Sequence, residues 1–211
     1  AVEQFDNAGQ VCLKAARMLV ESSIVDEFTE RVVAKAAQLR QGDPREEDTD
    51  VSALISRVHF DRMVGFVDRA VADGARVLLG GGPNDDLGGL FMRPTIIVDA
   101  DPGAEILTEE VFGPVLTVET FETEDEAVSM ANDTRFGLAA TLVTGDADRA
   151  ERVSGLLDAG TVWVNCFFVR DLGAPFGGNG QSGIGREGGV WSFDFYTNIK
   201  NSVFAPDGWR K

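Results

Sequence analysis

Apolar positions along the chain fall into two alternating rhythms. Residues 15–20 form a short apolar run that reads as a buried strand. Ser23 then stands where a helix cap belongs, with Asp26 three residues on. Val25, Phe28, Val32, Val33, Ala36 and Leu39 recur at close to helical period, and Gly42-Asp43-Pro44 is expected to end that helix. A second helix is predicted over 58–71, carried by Phe60, Met63, Val64 and Val67, with Gly74 as its C-terminal stop. Strand signals follow at 77–79 and 95–98, around a glycine-rich loop over 80–89, and again at 115–121, where apolar and polar residues alternate. A third helix over 124–132, a strand over 138–143, a fourth helix over 147–157 and a strand over 161–164 continue the series. Residues 201–204 are expected to form one more strand that leaves the main body.

This repeated order of strand and helix predicts an α/β fold, a largely parallel sheet flanked by helices. The 211 residues suffice for one ordinary domain with a real core, or two small ones. There is no internal repeat and no low-complexity linker.

Composition narrows the function classes. With 19 Lys+Arg against 35 Asp+Glu, the net charge of −16 opposes phosphate binding, so no nucleic-acid partner is expected. No apolar run is long enough to cross a bilayer, and the first residues lack the pattern of a secretory leader, so no membrane partner is expected either. Two cysteines, Cys12 and Cys166, are too few for a disulfide scaffold and favour a reducing, cytoplasmic setting. With one histidine besides, they do not make a closed zinc site without carboxylates, and no metal is expected. The acidic stretch over 45–50 reads as a solvated loop.

Four places carry candidate chemistry. Cys12 follows the turn-like Asn7-Ala8-Gly9-Gln10, where a backbone turn would aim the Cys12 N–H at a developing oxyanion. Spacing alone leaves the alternative of a small buried hydrophobe open, and favours it. A Cys–His or Ser–His–Asp hydrolase is disfavoured, because His59 is the only histidine and no Gly-x-Ser-x-Gly occurs. Gly178-Asn179-Gly180-Gln181-Ser182-Gly183 matches a dinucleotide fingerprint by letter only. Pro175-Phe176-Gly177 stands where a strand should, so a glycine-rich loop lying against another backbone is the expectation. Glu109-Glu110-Val111-Phe112-Gly113-Pro114 reads as a turn before a strand; spacing alone gives its carboxylates and its aromatic no role on a ribose or a flat ring. Arg170-Asp171, among Phe167, Phe168 and Phe176, is either a surface ion pair or a carboxylate clamp.

Taken in order, these segments resemble the aldehyde dehydrogenase superfamily over essentially the whole chain. Phe5-x-Asn7-x-Gly9-Gln10-x-Cys12-x-x-x-x-Arg17 is similar to the family's cysteine signature, and Glu110-x-Phe112-Gly113-Pro114 to its nicotinamide-ribose motif. Asn132-x-x-x-Phe136-Gly137-Leu138, Gly160-Thr161-Val162-Trp163-Val164-Asn165, and Pro175-Phe176-Gly177-Gly178 through Ser182-Gly183-x-Gly185-Arg186-Glu187 follow in family order. Where the family often carries Lys, two residues before Ser182, this chain has Gly180.

The resemblance implies Cys12 as nucleophile, forming a thiohemiacetal and then a thioester, with the Cys12 N–H in the oxyanion hole. It implies Glu110 on the nicotinamide ribose, Phe112 at the same end of NAD or NADP, and His59 near the adenosine. Asn165, Arg170 and Phe176 would line the substrate tunnel. Arg170, in Asn165-Cys166-x-x-Val169-Arg170-Asp171-Leu172, resembles the muconic semialdehyde dehydrogenases and implies a small-molecule aldehyde bearing a carboxylate; simple aliphatic or aromatic aldehydes are the alternative. The family's general-base Glu, its oxyanion Asn and its nucleotide-binding domain would lie upstream of Cys12. The chain is therefore expected to be the catalytic half of a longer enzyme, inactive alone. On that view residues 1–190 are the catalytic domain, and 191–211 an oligomerisation segment that leads to a homo-oligomer.

Overall fold

The computed structural model of the protein describes residues 2–210. Two short helical turns over Val2–Gly9 lead into β1 (Arg17–Glu21) and α1 (Val25–Ala36). Next come α2 (Arg57–Ala72), β2 (Arg76–Leu79), β3 (Thr95–Val98), the single turn α3 (Glu105–Thr108) and β4 (Val115–Phe121). The four strands form one sheet in the order β1-β4-β3-β2. β1, β4 and β3 run parallel, and β2 is antiparallel at the edge, with a register irregularity between Val77 and Leu79. All of β3 is buried, as expected of a strand covered on both faces. Phe5, Met63, Met92, Ile96, Ile97 and Leu116 fill the centre of the core with almost no exposure. The fold is thus α/β with a mostly parallel sheet.

α4 (Glu124–Asn132) joins this body to a smaller one, in which β6 (Ala139–Leu142), α5 (Ala147–Leu156) and β7 (Thr161–Val164) make a parallel strand–helix–strand unit. Beside it β5 (Phe136–Gly137) pairs with β8 (Asn179–Gly180), and α6 (Trp191–Tyr196) lies near the end of the chain. Asn132 closes the join: its Nδ2 donates to the Leu156 carbonyl at 2.8 Å, and its Oδ1 accepts from the Asp158 N–H at 2.8 Å. Glu124 takes both prongs of Arg152, at 2.7 and 2.8 Å.

Three helices begin where a side chain takes the first free N–H groups. Ser56 accepts from His59 at 3.2 Å, Thr123 from Glu126 at 3.2 Å and Asp146 from Arg149 at 2.9 Å. α1 departs from expectation at both ends. Ser23 does not cap it; the hydroxyl donates to the Glu21 carboxylate at 2.9 Å instead. The helix also stops at Ala36, well before Gly42-Asp43-Pro44, because the backbone turns to meet the acidic loop. The Arg40 N–H donates to the Asp50 carboxylate at 2.8 Å, and the Arg40 carbonyl accepts from Asp50 and Val51 at 2.9 and 3.0 Å. β1 is buried only at Val20, since it lies at the sheet edge with Arg17 on Glu119 at 2.8 Å. Residues 201–204 form no strand, with Val203 and Phe204 83% and 87% exposed, because no edge among the described residues pairs with them.

The glycine-rich stretch is a packing device. A Cβ on Gly160 would stand 1.7 Å from the Gly177 carbonyl oxygen, and one on Gly178 would stand 2.5 Å from the Ser182 side chain. Ser182 in turn accepts the Gly137 N–H at 3.0 Å. Gly160→Ala is therefore expected to lose about 2 kcal/mol or more of unfolding free energy. Gly145→Ala, which points into open space, is expected to stay within about 0.5 kcal/mol of the parent. Denaturant titration of both variants checks the contrast; equal stabilities would refute the packing role.

Candidate active site

The Cys12 turn is built from an unusual backbone. Asn7, Ala8 and Gly9 take φ of +51°, +56° and +69° in succession, a region that non-glycine residues rarely enter. Burial of Phe5 and Ala8 anchors the strained stretch from beneath. Paired amides hold it above: Asn7 Nδ2 donates to the Gln10 carbonyl, and Gln10 Nε2 to the Asn7 carbonyl, each at 3.1 Å. Gln10 Oε1 accepts from the Ile55 N–H at 3.0 Å, which fixes the turn to the start of α2. On the far side, Gln4 Oε1 accepts from the Ala15 N–H. Between these anchors Cys12 is exposed, so the alternative of a buried small hydrophobe does not hold. Its N–H donates no hydrogen bond among the described residues.

Residues 110–114 meet this turn. Val111, Gly113 and Pro114 are buried, Phe112 is half-buried and Glu110 is exposed. The Thr95 N–H donates to the Pro114 carbonyl at 2.8 Å, which hangs the segment on the buried β3. Two glycines make the approach possible. A Cβ on Gly9 would stand 2.1 Å from the Gly113 carbonyl oxygen, and one on Gly113 would stand 2.5 Å from Met63 Sδ. His59 Nε2 lies 2.6 Å from the Phe112 carbonyl oxygen. A carbonyl only accepts, so this ring nitrogen carries the proton. The same ring meets the Phe112 ring edge-on at 6.4 Å between centroids. His59 thus touches the Phe112 segment itself.

Lys14 is the residue that pattern reading missed. Its ammonium donates to the Gly113 carbonyl and, at 2.8 Å, to the Val115 carbonyl. Burial pulls the ammonium down to about 7, against the attraction of the Glu110 carboxylate, which favours the charged form. A signal was present: a lone lysine amid Leu13, Ala15 and Ala16 needs polar partners once buried. Beside Glu110, Glu109 binds Arg135 of the smaller body, and that guanidinium holds the Glu109 carboxyl below its ordinary value.

The remaining candidates form a second group. Asn165, at φ +54°, accepts from the Thr144 N–H at 2.9 Å and donates to the Thr144 carbonyl at 2.8 Å, so its amide closes the end of β6. Trp163 Nε1 donates to the Val169 carbonyl at 2.8 Å and folds the following turn over the indole. The Arg170 guanidinium lies 4.5 Å from the Phe176 ring centroid, exposed and without an ion pair among the described residues. Phe176 is held by reciprocal backbone bonds with Glu187 at 2.7 and 2.8 Å. No hydrogen bond or ion pair among the described residues directly joins Cys12, Glu110 or Phe112 to Asn165, Arg170 or Phe176. No group of three or more His, Cys, Asp or Glu among the described residues is placed to hold a metal, and no helix is long and apolar enough to cross a membrane.

Known proteins share both sequence and geometry with this chain. It is 47% identical over 201 residues to a 2-hydroxymuconic semialdehyde dehydrogenase of Pseudomonas sp. strain CF600, covering 93% of this chain and 41% of the relative. Its structure is similar to betaine aldehyde dehydrogenase from Staphylococcus aureus, solved in complex with NAD+, with a TM-score of 0.86 at 40% identity over 97% of this chain and 42% of that one. It is also similar to an NADP-dependent enzyme of E. coli, with a TM-score of 0.89 at 36% identity over 94% of this chain and 41% of that one. The chain thus spans about two fifths of the length of the relatives it matches. The model of the aldehyde dehydrogenase family matches residues 1–202, and the chain belongs to that family.

Proposed function

We propose that these residues are the catalytic half of an NAD(P)-dependent aldehyde dehydrogenase that oxidises its substrate through Cys12. The observation that carries this is the junction at Gly113, where an exposed cysteine turn and the segment bearing Glu110 and Phe112 lie in contact. The Cys12 thiolate adds to the aldehyde carbon and forms a thiohemiacetal, while the Cys12 N–H, free of other partners among the described residues, donates to the oxygen that gains charge. The C–H bond then breaks, its electron pair leaves as hydride, and a thioester remains on Cys12. Water adds to the thioester, the C–S bond breaks, and the acid and the restored thiol separate. Activation of that water falls to the upstream glutamate that the family resemblance implies.

NAD or NADP supplies the hydride acceptor. Glu110 and Phe112 fit its nicotinamide end: the exposed carboxylate would accept from a ribose diol, and the aromatic ring would flank the base. His59 acts there through the Phe112 carbonyl. The family resemblance implies that the rest of the nucleotide fold lies outside these residues, so the isolated chain is expected to bind cofactor weakly and to turn over negligibly. Intact-mass analysis with a thiol-reactive probe at neutral pH tests the nucleophile. Fast, single-site labelling of Cys12, blocked by an aldehyde, is expected; labelling of Cys12 no faster than Cys166 would count against a site already formed in this half.

The substrate we favour is a semialdehyde carrying a carboxylate. Arg170 stacks on Phe176 with no anionic partner among the described residues, leaving its donor edge for a carboxylate. The relative named for 2-hydroxymuconic semialdehyde points the same way. In the complete enzyme, Arg170→Ala is expected to lower kcat/KM for such a substrate about 10- to 100-fold, with a simple aliphatic aldehyde little affected. Equal losses on both would favour the simple aldehydes.

Residues 191–211 suit an oligomerisation segment rather than catalysis. Trp191, Phe193, Tyr196, Val203 and Phe204 are exposed, more apolar surface than a solvated tail needs. Self-association is expected by light scattering, and a monodisperse monomer would refute this role. It is also the second reading of the chain, as an assembly module without turnover of its own.

A further inference from the structure

We infer that Lys14 is a positioning residue: its two hydrogen bonds lock the main chain on either side of Pro114 to the cysteine turn, and so set where Glu110 and Phe112 stand relative to Cys12. For its catalytic meaning this rests on the dehydrogenase reading above, but the clamp is a property of the fold and is tested separately.

The geometry is specific. Lys14 lies two residues beyond Cys12, and its backbone belongs to the same turn, with its N–H on the Val11 carbonyl at 3.2 Å and its carbonyl accepting the Ala16 N–H at 3.0 Å. The side chain crosses to the other segment and reaches the carbonyls of Gly113 and Val115. Those carbonyls bracket Pro114, which has no N–H with which to anchor itself. Away from the cysteine turn the same segment is held at Phe112 by His59 and at the Pro114 carbonyl by the Thr95 N–H. Gly9 and Met63 fill the contact without donating to it. Lys14 is thus the one side chain of the cysteine turn that hydrogen-bonds the 110–115 segment, among the described residues.

Lysine suits this task differently from arginine, because it releases its proton when desolvated. The ammonium has three donors and the neutral amine two, so both carbonyl bonds survive deprotonation. Among the charged groups around it, Glu110 favours the ammonium. Asp6, on the cysteine turn, has its carboxyl pushed up by burial, helped by Glu3 and Asp50. His59 meets the segment from α2, and Arg17 is occupied by Glu119. Burial holds Lys14 at about 7, below the value of a solvated lysine, so the clamped state favours the neutral amine and the clamp tightens as pH rises through neutrality.

Two measurements test it. In the 211-residue chain, Lys14→Met is expected to raise hydrogen exchange in residues 109–116 about tenfold, with α1 and the β6–β7 pair unchanged, and Lys14→Arg to restore much of the protection. Unchanged exchange in that segment would overturn the clamp. So would a rise spread over every element with a fall in Tm, which marks general destabilisation. In the complete enzyme, Lys14→Met is expected to raise the cofactor KM about tenfold with kcat within about threefold, and to flatten the fall of wild-type cofactor KM between about pH 6 and 9. A variant that keeps the wild-type KM and pH profile overturns the positioning role. Wild-type enzyme without any turnover would sink the proposed activity and leave the clamp to be judged on exchange alone.

Discussion

The carbonyl of Gly113 occupies the space that any side chain on Gly9 would need. Contact between these two backbones is the constraint on which the candidate site depends. It brings a turn from the start of the chain against a segment about a hundred residues later, with no side chain between them. The price is an α-carbon without conformational restraint at both positions, and the surrounding structure supplies that restraint. Asn7 and Gln10 brace each other, Phe5 and Ala8 anchor the turn in the core, and Met63 backs Gly113 from α2. The buried β3 then carries the arrangement, through the Thr95 N–H on Pro114, into the centre of the sheet.

Seen from that junction, the family motifs divide into those that form the site and those that shape its support. Asn132 bonds the backbone at the end of α5, Gly160 lets the chain pass against Gly177, and Ser182 caps the Gly137 N–H. None of these reaches Cys12. They hold the smaller body together, and with it the turn from which Arg170 projects over Phe176.

Much of the fold was legible from periodicity. β3, α4 and β7 sit where they were predicted: β3 is a continuous buried apolar run, β7 buries Trp163, and α4 starts at the Thr123 cap. Two-residue strands such as β5 and β8 carry no period and went unseen, as did the single turn of α3. The early end of α1 was illegible for another reason: Asp50, ten residues on, competes for the Arg40 backbone, and local spacing cannot show a partner brought in by the tertiary fold. At the site, the order of motifs pointed to Cys12, Glu110 and Phe112. The contacts of His59 and Lys14 were hidden, since both bond main-chain carbonyls, which every residue owns and no sequence letter marks.

The Glu109–Arg135 pair, lastly, makes the segment beside the cysteine answer to ionic strength. The pair lies at the surface between the two bodies, where counterions weaken such attractions, with a screening length of about 8 Å at physiological salt. The Gly9–Gly113 contact is a meeting of uncharged backbones and has nothing for salt to screen. Added electrolyte therefore loosens the segment's hold on the smaller body while leaving its seat against the cysteine turn in place. In a protein carrying a net charge of −16, the same electrolyte also relieves repulsion across the whole surface. Salt then acts in opposite senses on the global fold and on this one seam.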